Sequence, residues 1–194
     1  FDILAIRTFP SLKNKEEEYQ EKILQQFVKY AGIPVLSLES ATRHPLQSLA
    51  DLITITEELQ KNKIQKPRIV LTWAPHIKPL PQCVANSFAE WVNAWGKADF
   101  IITHPKGLEL DPTFTHGASI MHDQKEALTG ADFVYVKNWS SFQDYAKMPK
   151  VEENWMLTNE KLELTNNAKV MHCLPVRRNL ELSDEIMDGK NSII

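Results

Sequence analysis

Arg68-Ile-Val-Leu-Thr-Trp73 (RIVLTW) is a short, nearly unbroken apolar run between the charged stretch QKNKIQK (60–66) and the proline-rich stretch APHIKPLP (74–81). An uninterrupted apolar strand of this kind is covered on both faces, whereas a half-solvated strand alternates. Similar runs recur as ADFIITH (98–104), ADFVYVKNW (131–139) and AKVMHCL (168–174), with a weaker one at SIMH (119–122). Upstream, FDILAIRTF (1–9) holds a strand over about Ile3 to Thr8, and PVLSLES (34–40) holds a second short one. The closing NSII also reads as an apolar strand.

Helical periodicity fills the gaps. Tyr19, Ile23, Phe27, Val28 and Ala31 share one face of a helix that Gly32 stops. Pro45 sits where proline best fits, in the first turn of a helix running to about Gln60. That helix carries two apolar stripes, Leu46, Leu49, Ala50 and Ile53 on one side and Leu52, Ile55 and Leu59 on the other. Such a helix is expected between two layers or domains. Ser87 and Glu90 have capping-box spacing, predicting a helix from about Ser87 with Phe88, Trp91, Val92 and Trp95 on its core face. Asp123 and Glu126 open a short helix that ends at Gly130, and residues 140–157 read as irregular. Strands alternating with helices give an α/β fold with a doubly wound parallel sheet.

The composition is that of a globular chain: 194 residues, 43% hydrophobic, 24% charged, net charge −3. That balance offers no general field for nucleic acid or anionic lipid. No apolar run reaches the roughly 18 residues of a membrane span. Cys83 and Cys173 lie far apart and read as reduced thiols of a cytoplasmic protein. The chain opens in mid-strand without methionine and closes on apolar residues, so a segment of a longer protein is expected.

Parallel sheets bind ligands at the carboxyl ends of their strands. Here those ends carry Arg7, Glu39, His44, Gln47, His76, Lys137, Cys173 and Arg177. Taken singly, each has a plainer reading. Arg7 could pair with a surface carboxylate, Glu39 with Arg43, and His44 could cap the following helix. Cys173 could serve as a small hydrophobe, and Lys137 could be solvated. His104, His116 and His122 read as surface or structural residues. Their concurrence at successive strand ends favours a site, and its excess of cations suits a doubly anionic substrate. With six glycines and no G-x-G-x-x-G, a dinucleotide site is not expected. C-x-x-C, H-E-x-x-H and G-x-S-x-G are all missing, and His172 and Cys173 alternate across a strand. No metal or cofactor is expected.

Two segments, His44-Pro45-Leu46-Gln47-Ser48-Leu49-Ala50-Asp51 and His172-Cys173-Leu174-Pro175-Val176-Arg177-Arg178, resemble the H-P-x-Q-x-x-A-D and H-C-L-P-x-x-R motifs of the carbamoyltransferases. The resemblance spans the chain. The cysteine sets it apart from aspartate carbamoyltransferases. VYVKNWSSF (134–142) carries Lys137 where the enzymes of free ornithine have D-x-x-x-S-M-G. ESATRHPLQ, LTWAPHIKPLPQ and LTNNAKVMHCLPVRRN look like the members acting on N-acylated ornithine, and TWAPH with KNW looks closer to those using the succinylated substrate than the acetylated one. A blocked α-nitrogen carries no charge, which makes a lysine beside it tolerable.

The resemblance implies a reaction between carbamoyl phosphate and the δ-amine of an N-acylornithine, in arginine biosynthesis, in a homotrimer with sites at subunit interfaces. It implies residues 1–40 as the tail of a carbamoyl-phosphate domain, 41–65 as an interdomain helix and linker, and 66–194 as an acyl-ornithine domain, incomplete at its end. The family's S-x-R-T-R phosphate loop, a loop lent by a neighbouring subunit and a last linking helix are not in the sequence. Arg7, His44, Gln47, Cys173 and Leu174 are the expected carbamoyl-phosphate contacts, with Cys173, His44 and Arg7 catalytic. Glu39, His76, Lys137 and Arg177 are expected on the acyl-ornithine, with Arg178 an alternative to Arg177. Cys173 is expected to lean toward thiolate in cationic surroundings. The readings that compete with this one are N-acetylornithine as the substrate and a non-catalytic binding protein on the same fold.

Overall fold

A computed structural model describes residues Phe1–Ile194. In chain order the elements are β1 (Leu4–Arg7), α1 (Lys15–Tyr19), α2 (Lys22–Tyr30), β2 (Val35–Glu39), α3 (Pro45–Asn62), β3 (Arg68–Trp73), α4 (Cys83–Trp95), β4 (Asp99–Thr103), α5 (Pro112–Thr115), β5 (Ser119–Met121), α6 (Gln124–Leu128), β6 (Phe133–Lys137), α7 (Asn159–Leu162), β7 (Lys169–Met171) and α8 (Asp184–Met187). None of the helices is long and apolar enough to cross a membrane.

Five strands form one all-parallel sheet in the order β5-β4-β3-β6-β7. The chain enters at the central β3, builds outward through β4 and β5, then returns to β6 and β7 on the other side. Side chains alternate along each strand, so the two faces build separate cores. Ile69, Leu71, Trp73, Phe100, Ile102, Phe133 and Tyr135 pack with Ile55 and Leu59 of α3 and with Phe88 and Val92 of α4. Val70, Ile101, Val134, Val136 and Val170 pack on the opposite face with Ala127, Leu128, Leu182 and Ile186. The strand order reverses beside β3 and β6, and a crevice at their carboxyl ends is where such a sheet has room for a ligand.

A second, two-stranded parallel sheet pairs β1 with β2 and brings Arg7 opposite Glu39 across a register shift. The expected sandwiching of α3 is seen on one side only. Ile55 and Leu59 are buried, whereas Leu46, Leu49 and Ile53 are exposed.

Four local expectations need correction. The first helix is broken between Tyr19 and Lys22, because Glu21 adopts a left-handed backbone (φ 51). There its carboxylate accepts from Thr42 N–H (2.8 Å), Thr42 Oγ1 (2.6 Å) and Ser40 Oγ (2.6 Å), tying the helix to the turn after β2. The helix expected from Ser87 starts four residues earlier, at Cys83, and Ser87 lies fully buried inside it. The PLP segment delivers the chain to Gln82, whose side-chain amide donates to the Ser140 carbonyl (2.6 Å) instead of capping the helix. Trp91 and Trp95 are only partly buried, toward the open end of α4. NSII makes a single bridge, Ser192 to Val170, and no strand. The Asp123 cap forms as expected, accepting from the N–H groups of Lys125 and Glu126.

Candidate functional site

The predicted residues converge from two directions. The β1–β2 sheet supplies Arg7 and Glu39, and the start of α3 supplies His44 and Gln47. Arg7 sets both Nε and Nη2 against Glu39 Oε2, in a pair whose carboxylate is 5% exposed. This pairing replaces the Glu39–Arg43 pair suggested above. Arg43 instead forks onto Glu90 at 2.9 and 2.8 Å. His44 lies 3.6 Å from Glu39. It occupies the residue before α3 but makes no capping bond, and its buried Nδ1 has no partner. Burial holds its pKa below the usual value, with Glu39 opposing and Arg7 reinforcing the effect.

The second direction is the carboxyl edge of the large sheet. His76 follows β3, Lys137 ends β6, and Cys173, Leu174 and Arg177 follow β7. Arg177 Nε donates to His76 Nε2 (3.2 Å), which leaves Nδ1–H to face the Lys78 carbonyl (3.0 Å). Arg178 is held on the surface by Asp184 and Asp188. The geometry therefore favours Arg177 over Arg178 for the crevice. Lys137 is 8% exposed at the end of β6, and no carboxylate pairs with it.

Cys83 and Lys137 stitch the halves together. Cys83 Sγ lies 3.3 Å from Glu39 Oε1, and the Lys137 charge is felt at both Cys83 and Cys173. The expected thiolate at Cys173 is not supported. Burial raises its pKa, and Asp51 adds to the rise, while Lys137 only partly offsets them. Its backbone serves better than its sulfur. The carbonyls of Cys173 and Leu174 accept no hydrogen bond within the chain, and the Leu174 N–H is occupied by His172 Nδ1 (2.9 Å). His172 and Cys173 lie past the end of β7, and no group of three potential ligands could hold a metal.

The Asp/Orn-binding-domain model of the aspartate/ornithine carbamoyltransferases matches residues 82–194. This chain belongs to that family. It is 48% identical along its whole length to an N-succinylornithine carbamoyltransferase of Bacteroides fragilis, covering 60% of that protein. It is 31% identical over 99% of its length to an N-acetylornithine carbamoyltransferase of Xylella fastidiosa, covering 62% of it. A crystal structure of N-acetyl-L-ornithine transcarbamylase superposes with a TM-score of 0.90 at 30% identity, matched over 99% of this chain and 63% of the other. The chain spans about 60% of the length of the curated relatives it matches.

Three residues lining the crevice were not legible in the sequence. Glu181, 2% exposed, places its carboxylate 2.9 Å from His172 Nε2 and 3.7 Å from His76 Nε2. Its position four residues after Arg177 gave no periodic signal, because the chain there is a turn. Tyr135 looked like core, and Asp51 was visible only as the last letter of a motif. A separate cleft of about 580 Å³ between His122–Lys125 and Asn154–Lys161 lies outside this constellation. There the Lys161 ammonium is held by Gln124 Oε1 (2.6 Å) and by the carbonyls of Asn154 and Met156, as a structural tie.

Proposed function

We propose that the protein containing these residues transfers the carbamoyl group of carbamoyl phosphate to the δ-amine of an N-acylated ornithine, with N-succinylornithine favoured over N-acetylornithine. The observation that carries this reading is Lys137. A nearly buried ammonium without a carboxylate, at the strand reversal of the sheet, is an incomplete ion pair that a substrate anion would complete. Beside a free α-ammonium it would repel, whereas beside a succinyl group it attracts.

In the reaction the δ-ammonium first loses a proton, since the charged nitrogen has no lone pair. The amine attacks the carbamoyl carbon, a C–N bond forms, the C–O bond to phosphate breaks, and the nitrogen sheds a second proton as phosphate leaves. Negative charge builds on the carbamoyl oxygen, where preorganised donors lower the barrier. Arg7 and His44 are assigned to that oxygen and to the phosphate. Gln47 and the free carbonyls of Cys173 and Leu174 are assigned to the carbamoyl NH₂ and the incoming amine. Glu39, His76, Lys137 and Arg177 are assigned to the acyl-ornithine. Arg177 is suited to a terminal carboxylate by its two-pronged guanidinium. Cys173 acts through its backbone, because burial keeps its thiol protonated.

On this reading residues 1–40 belong to the carbamoyl-phosphate half, 41–65 link, and 66–194 hold the acyl-ornithine. The same reading makes the protein a cytoplasmic enzyme that assembles as a homotrimer with its sites at subunit interfaces. The test is ureido-product formation by the full-length protein from carbamoyl phosphate with N-succinylornithine, N-acetylornithine, ornithine and aspartate in parallel. Turnover with an acylated ornithine is expected; turnover only with ornithine or aspartate would overturn the substrate class, and none at all the reaction.

A further inference from the structure

Beneath the carbamoyl side of the crevice lies a buried polar group that none of the assigned roles uses. Asp51 sits on the covered face of α3, one turn after Gln47, and is 5% exposed. Its Oδ1 accepts from Gln47 Nε2 at 2.9 Å. From β6 the Tyr135 hydroxyl, fully buried, faces its other side, and from the segment after β7 the Cys173 thiol lies against the same hydroxyl. Asp51 Oδ2 and Tyr135 Oη are both buried without a hydrogen-bond partner. No cation pairs with this carboxylate, and Lys137 acts on the cluster through Cys173. Burial pushes the Asp51 carboxyl up to about 6.

A carboxylate kept in the core without a cation costs stability, so its presence needs a reason beyond packing. The reason lies in the symmetry of an amide. The two ends of a glutamine side chain have nearly the same shape and opposite chemistry, one accepting and one donating. An unheld Gln47 could present either to a substrate. An ionised carboxylate only accepts, so it takes the NH₂ end and leaves the carbonyl end outward. Gln47 Oε1 makes no other bond in the chain and is therefore available to a donor.

We infer that Asp51 is a positioning residue: it holds Gln47 in the one amide orientation that offers its carbonyl oxygen to the NH₂ of the carbamoyl group. The inference rests on the carbamoyl-transfer reading for its ligand, and on the Gln47–Asp51 pair for its geometry. The Tyr135 hydroxyl facing Asp51 favours the ionised form, and with it an acceptor toward Gln47. Asp51 itself touches no substrate. Its effect is transmitted entirely through Gln47.

A double-mutant cycle on the full-length protein separates this from a structural role. Asp51→Leu is expected to lower kcat/KM for carbamoyl phosphate about thirtyfold when Gln47 is present, the worth of one hydrogen bond to a charged group. In a Gln47→Ala background the same change is expected to cost less than about threefold, since there is no amide left to orient. Asp51→Asn, whose own amide can meet Gln47 with either end, is expected to restore only part of the loss. Equal losses in both backgrounds would overturn the inference. A readout independent of turnover covers a chain that proves inactive or a variant that folds poorly. The side-chain amide protons of Gln47 in wild-type protein should shift with pH with a midpoint near 6, following protonation of Asp51. An amide signal that ignores pH from about 3 to 8, through protonation of Asp51 wherever it falls, would overturn the positioning role even if carbamoyl transfer is confirmed. A wild type that shows the titration but no transfer would leave the positioning intact and remove the functional reading.

Discussion

The five-stranded unit and the two-stranded unit carry opposite halves of the crevice and are built in opposite ways. The large sheet is covered on both faces by two apolar clusters of 20 and 13 buried residues. In the small unit α1 and α2 bury no residue at all, and Ile23, Phe27, Val28 and Tyr30 stand exposed. Polar ties do the holding there. Tyr145 donates to Glu18, Tyr19 to Gln82, Arg43 pairs with Glu90, and Glu21 clasps the 40–42 turn. The crevice residues on the β3–β6–β7 edge thus stand on a rigid base. Arg7 and Glu39 stand on an element whose position depends on a few hydrogen bonds.

The largest expected difference is in amide exchange. Backbone N–H groups of β3, β4 and β6 should exchange at least about a thousandfold more slowly than those of α2, since only the former need global unfolding. Similar protection in both units would break the comparison. Next in size is Lys161→Ala, which leaves Gln124 Oε1 and two carbonyls without their donor and should cost the sheet unit about 3 kcal/mol in urea denaturation. Exchange in α2 should not change.

Asp51→Asn should act in the other direction. The folded carboxyl, at about 6, lies above its unfolded value of 3.8, so wild-type stability falls as pH rises between those values and stays low above them. The neutral amide escapes that loss. At pH 8 the variant should be more stable by about 2 kcal/mol, and the advantage should vanish by about pH 4. A constant difference across pH would show that Asp51 is not ionised against its surroundings. The smallest effect is Tyr145→Phe, which removes one tie to Glu18. It should cost about 1 kcal/mol and speed exchange in α1 and α2 alone.

The sheet could be read from the sequence because burial on both faces leaves unbroken apolar runs, and RIVLTW matched its strand at both ends. Strand-end positions follow once the strands are parallel, which is why Arg7, Glu39, His76 and Lys137 could be placed at the crevice edge from the sequence. What could not be read depends on partners distant in sequence. The break at Glu21 exists because of residues 40–42, and the early start of α4 because Gln82 has an acceptor at Ser140. The protonation of Cys173 is decided by burial, to which a list of neighbouring cations is blind. Asp51 and Tyr135 are separated by more than eighty positions; the apolar run around Tyr135 marks it as core, and the helical stripes of α3 leave Asp51 out. Only their meeting there makes them polar partners.

The central claim, that this crevice takes an ornithine with a blocked α-nitrogen, is tested most directly by two specificity ratios in the full-length protein. These are kcat/KM for N-succinylornithine over ornithine in the wild type and in Lys137→Met. The wild-type ratio should be at least about a thousand, and the variant should lower it more than about tenfold while KM for carbamoyl phosphate holds. A wild type that prefers ornithine, or a ratio untouched by the loss of Lys137, would contradict the account.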